Sequence, residues 1–120
     1  MLTTKNVIVM LLLLCMQVPM FRDPEFEIVE VVRNDGSVDG AKGRLSPAHA
    51  KELKEMLMTG HHEQVKAFAK YRLTIKDRQG TQTVFIMPKS FKLNDRTYIV
   101  KGDLVSFIDR HWLPVDNATP

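Results

Sequence analysis

The stretch "QVKAFAKYRLTIKDRQGTQTVFIMP", Gln64 to Pro88, limits the fold of this chain more than any other. Val65, Ala67, Ala69, Tyr71, Leu73 and Ile75 alternate with Lys66, Phe68, Lys70, Arg72, Thr74 and Lys76. A period of two places every second side chain on one face of an extended backbone. The run therefore predicts a long strand with one buried and one wet face. Asp77–Gly80 supplies turn residues for a hairpin into a second strand, Thr81–Met87, and Pro88 closes it.

The flanking segments complete an α+β pattern. Glu25–Arg33 is dense in β-branched residues and predicts a strand with Phe26, Ile28 and Val32 on one face. Asn34–Arg44, with three glycines and two Asp-Gly pairs, reads as a loop. A helix follows. Ser46 can cap it, Pro47 suits its first position, and Gly60 can end it in a left-handed conformation. Ala50, Leu53, Met56 and Leu57 form its apolar stripe. A second hairpin is expected from Phe91–Leu93 and Thr97–Lys101 around Asn94–Arg96. Asp103 then caps a short helix with Leu104, Phe107, Ile108 and His111 on one side, and Pro114 lies beyond it. The fold expected is a small antiparallel sheet of about five strands, with one helix after the first strand and a short C-terminal helix. The domain covers residues 22–114, behind an apolar head at 1–21 and ahead of a flexible tail at 115–120.

That head sets the expected location. Val7–Met16 is unbroken apolar sequence after a lone Lys5. As a helix it covers about 15 Å, and Val7–Phe21 about 22 Å, against a hydrocarbon core of about 30 Å. Such a length suits the hydrophobic region of a signal peptide, or a short membrane anchor. Between Met10 and Val32 there is no Ala, Gly or Ser to mark a cleavage site. "LLLLC" resembles the bacterial lipobox, which makes Cys15 a lipidation candidate. Leu12 fits that pattern and Leu14, where a small residue is expected, departs from it. A segment apolar on every side needs cover on every side, and about 100 residues of domain supply little of it. Export or membrane anchoring, on the periplasmic or extracellular face, is the expectation. A head buried inside a cytoplasmic protein is the alternative.

Composition narrows the chemistry. With 44% hydrophobic and 26% charged residues the chain is an ordinary folding sequence. A net charge of +3 is far below that of a dedicated nucleic-acid binder. The single cysteine lies in the head, so the domain can hold neither a disulfide framework nor a cysteine-based metal site.

The candidate catalytic groups each have a plainer reading. "DGSVDG" (Asp35–Gly40) resembles half of a calcium loop, but Ser46 occupies the place of the bidentate Glu, and Lys42 and Arg44 stand close. "HHE" (His61–Glu63) and His49 are metal-ligating types. Yet twelve residues of helix would separate His49 from His61 by about 18 Å, too far to share an ion. No Gly-x-Ser-x-Gly elbow, phosphate loop or dinucleotide fingerprint is present. No enzyme, no cofactor and no metal are expected.

Binding remains. Lys66, Phe68, Lys70 and Arg72 fall on one side of the predicted long strand, and an aromatic among cations on a wet face is unusual. This face is the candidate contact surface. For an exported domain it suits a protein with an acidic surface, as inhibitor and immunity-type proteins of secreted enzymes require. For a cytoplasmic one it suits RNA, through stacking and charge. A small hydrolase without a recognisable motif is the remaining alternative.

Overall fold

The computed structural model describes residues 21–34 and 40–115. The expectations for the apolar head up to residue 20, for Cys15, for nearly all of the calcium-like loop and for residues 116–120 lie outside these. The described chain is an α+β fold with one antiparallel sheet of eight strands, larger than the five expected. The strands are β1 (Glu27–Arg33), β2 (Ala41–Arg44), β3 (His61–His62), β4 (Tyr71–Asp77), β5 (Gly80–Ile86), β6 (Ser90–Leu93), β7 (Arg96–Ile99) and β8 (Leu113–Pro114). Their order across the sheet is β3-β7-β6-β5-β4-β1-β2-β8. Helices α1 (Pro47–Leu57) and α2 (Leu104–His111) pack their buried residues into the same core as the inner face of the sheet.

The central hairpin forms as its sequence requires. Asp77 pairs with Gly80, and every residue from Tyr71 to Lys76 has a partner on β5. Tyr71, Leu73 and Ile75 point inward with Val84 and Ile86, while Arg72 and Lys76 stay exposed. The β6–β7 hairpin turns through Asn94 and Asp95, at φ 50° and 64°. Two successive left-handed residues match the right-handed twist of the strands they join.

Four expectations are corrected. The alternating run does not stay in the sheet over its full length, because only Tyr71–Asp77 is strand. Its neighbours run out first. The amide of Asn34, just past β1, donates to Lys70 O, and Lys70 N donates to Ile86 O at the end of β5. Val65 to Ala69 have no ladder on either side. Second, the expected loop Asn34–Arg44 contains β2, which pairs Val31 with Gly43 and Arg33 with Ala41. Third, an irregularity between Ile28 and Glu30 shifts the register of β1 on β4. It leaves Val29 exposed and brings Val31 inward, so Phe26, Ile28 and Val32 do not share a face. Fourth, Gly60 does not adopt a left-handed conformation. The end of α1 closes instead through short-range bonds from Thr59 N to Met56 O and from Gly60 N to Leu57 O.

Both helices are capped as expected. Ser46 Oγ accepts from His49 N, and Asp103 Oδ1 accepts from Ser106 N. Leu53 and Leu57 of α1 meet Leu104, Val105, Phe107 and Ile108 of α2 in the core. Gly43 is set by Trp112, just past α2: a Cβ there would fall inside its indole, whose Nε1 donates to Val31 O at 3.0 Å. A row of rings also crosses the molecule. It runs from Phe26 to Phe21 at 4.6 Å, on to Phe91 at 5.9 Å, to Tyr98 at 5.2 Å and to His62 at 5.8 Å.

Candidate functional site

Glu63 to Lys70 leaves the sheet after β3, crosses open space and rejoins it at β4. Its first amide, Glu63 N, donates to Thr97 O on β7, and its last, Lys70 N, to Ile86 O on β5. Between these fixed ends the segment overhangs the outer faces of β5, β6 and β7 and encloses an open cleft of about 1020 Å³. Val65, Phe68, Phe85 and Met87 supply apolar lining, and Lys66 and Lys92 supply positive charge. Asp95 and His62 stand at its edges, with Asp95 at 4.0 Å from Lys92 Nζ.

Phe68 is 97% exposed and Phe85 41%. Fully burying an exposed ring is worth about 1.5–3 kcal/mol, so Phe68 leaves nearly all of that amount unclaimed within the chain and Phe85 less than half of it. Isolated surface apolar residues are ordinary. Two aromatics and a half-buried valine lining one concavity are not.

The cross-strand register explains how the lining assembles. Arg72 on β4 lies opposite Phe85 on β5, Phe85 opposite Lys92 on β6, and Lys92 opposite Thr97 on β7. All four are on the solvent face, and the overhang brings Lys66 and Phe68 to the same place.

Of the residues singled out in the sequence, Lys66 and Phe68 line this cleft. Arg72 stands one strand away from it, on the outer face of β4. Lys70 is turned elsewhere, with its ammonium at 3.3 Å from Asp109 on α2. The four do not form a single strand row, because Lys66 and Phe68 precede the strand. Phe85, Met87 and Lys92 are the partners that sequence reasoning missed. Phe85 carried a legible signal: with Val84 and Ile86 inward, the intervening aromatic had to face outward.

A second polar group lies at the α2 end of the sheet. Arg33 donates from Nε and Nη2 to Tyr71 Oη, both at 3.1 Å, and Tyr71 Oη donates in turn to Asp109 Oδ1. The Arg33 guanidinium also stacks on Trp112, 4.3 Å from the ring centroid. Burial, reinforced by the bond to Asp109, raises the Tyr71 phenol above its ordinary value. The Tyr71 hydroxyl, helped by Lys70 and Arg33, holds the Asp109 carboxyl below its own. Each group already has its hydrogen-bond partners, and a phenol held protonated is no base. This cluster fastens α2 to β1 and β4.

The histidines do not converge. His61 and His62 form the edge strand β3, whereas His49 stacks on His111 with ring centroids 3.7 Å apart. Among the described residues no three His, Cys, Asp or Glu side chains are placed to hold a metal ion. None of the described helices is long and apolar enough to cross a membrane. Comparison of the chain with protein-family models, curated proteins and solved structures found no match.

Proposed function

We propose that this protein is a small non-enzymatic binding protein, carried to or held at a membrane by its apolar head. Its cleft takes up an acidic segment of a protein partner, in the manner of an inhibitor or immunity-type protein acting on a secreted enzyme. The observation that supports this is the exposed Phe68 ring, held on a segment fixed at both ends, over a cleft containing Phe85 and bordered by Lys66 and Lys92. An aromatic anchor in a partly enclosed site supplies affinity, and flanking cations select an acidic partner. Phe68, Lys66 and Lys92 make the contact, and Arg72 extends the positive surface beside it. Lys70, paired with Asp109, serves the fold. Export or anchoring through residues 7–21, with Cys15 as the lipidation candidate, places the domain on the periplasmic or extracellular side.

RNA is the less favoured partner. A strand of phosphates is held by several cations with bases stacked between them, and the cleft offers two lysines around a mainly apolar lining.

The test is a binding screen of the purified chain against short peptides of acidic–aromatic, basic–aromatic and uncharged sequence, with a single-stranded oligoribonucleotide beside them. Acidic–aromatic peptides are expected to bind. Phe68→Ala is expected to weaken them about 10–100-fold, as loss of one buried ring implies, and Lys66→Glu at least as much. Peptide binding indifferent to Phe68 overturns the assignment. Salt-sensitive capture of the oligonucleotide alone replaces it with the RNA reading.

A further inference from the structure

The first described residues are packed and ion-paired against the domain. Phe21 stacks on Phe26 and Phe91. Arg22 forms a two-pronged ion pair with Asp77, Nε to Oδ2 at 2.6 Å and Nη2 to Oδ1 at 3.0 Å. Asp23 accepts from Glu25 N at 2.9 Å and lies 3.9 Å from Arg78 on the β4–β5 turn. Only Gln17 to Met20 separate Phe21 from the apolar run that ends at Met16, and the five steps from Met16 to Phe21 reach at most about 18 Å.

We infer that the domain stands on the lipid surface in one orientation, with Phe21, Pro24 and the Asp77–Gly80 turn against the headgroups and the cleft held away from them. This inference rests on the membrane part of the proposed function. The β5 residue Phe85, in the cleft, is five positions beyond Gly80, which sets it about 17 Å from the turn. Charge does not drive the contact. Arg22, Lys76 and Arg78 at this end are offset by Asp23, Asp77, Glu25 and Glu27, so the apolar head does the attaching and the headgroup's charge is immaterial. A partner is then met one small-domain height above the bilayer.

The experiment places the full native chain in phosphatidylcholine nanodiscs carrying a nitroxide on the lipid headgroup, and reads paramagnetic broadening of each backbone amide. Because that effect falls steeply with distance, amides of Arg78 and Gln79 are expected to broaden several-fold more than those of Phe85 and Lys92. Replacing half the lipid with phosphatidylglycerol is expected to leave the gradient as it was. Discs that carry the chain but broaden both ends equally overturn the fixed orientation and leave the membrane reading standing. A gradient that appears only with phosphatidylglycerol overturns the stated cause. A chain that does not join the discs at all overturns the membrane reading and this inference together.

Discussion

Gly43 shows how one missing side chain can make room for a ring that is distant in sequence. Its backbone lies under the Trp112 indole, and that indole receives the Arg33 guanidinium on its face and gives its N–H to Val31 O. Gly43→Ala is expected to displace Trp112 and cost about 1–3 kcal/mol in denaturant unfolding, the usual price of forcing atoms into a filled space. Trp112 is the chain's single tryptophan, so its fluorescence reports the same displacement directly. Nothing in the sequence around "AKGR" distinguished this glycine from the others of a Gly-rich loop. The constraint comes from a residue 69 positions later, and contacts at that separation leave no local pattern. Phe68 is the reverse case. It broke the polar half of an alternating run, and that local anomaly pointed to the exposed ring the structure contains.

At the scale of elements, hairpins and helices were legible because their causes are local. Asp103 caps α2, Ser46 caps α1, and the turn residues at Asp77–Gly80 and Asn94–Asp95 all lie where their chemistry acts. What was not legible depends on neighbours. The run from Val65 has strand periodicity, but a strand needs a partner, and β1 and β5 end near Lys70. Periodicity here described a preference with no sheet to satisfy it, and the cleft exists because of that shortfall. The two-residue strands β3 and β8 were hidden for the same reason: each is defined by the strand beside it. The β6–β7 turn makes its own prediction. Asp95 occupies a left-handed conformation that a side chain disfavours by about 1 kcal/mol. Asp95→Gly is expected to return much of that as added stability, read as a higher denaturant midpoint with an unchanged slope.

At the scale of the whole molecule, two carboxylates join parts distant in sequence. Asp77 binds Arg22 at the start of the described chain, and Asp109 binds Tyr71 and Lys70 from the last helix. Hydrogen bonds from these partners lower both carboxyls below their ordinary values. A carboxyl lowered in the folded state adds stability that is fully present above the unfolded value of about 3.9 and is lost as the pH falls through the folded one. The denaturant midpoint is therefore expected to hold steady from pH 7 to about 5 and to drop below about 4. Asp109→Asn is expected to lower the midpoint at pH 7 and to narrow the gap between pH 7 and pH 3. The effect is modest, because Asp109 is partly solvated. The brief strands at the two margins of the sheet carry a different consequence. β3 and β8 are two residues each, and β8 contains a proline, so neither margin offers a long row of unsatisfied amides. Copies crowded together at high concentration find little edge backbone on the described sheet to template one another.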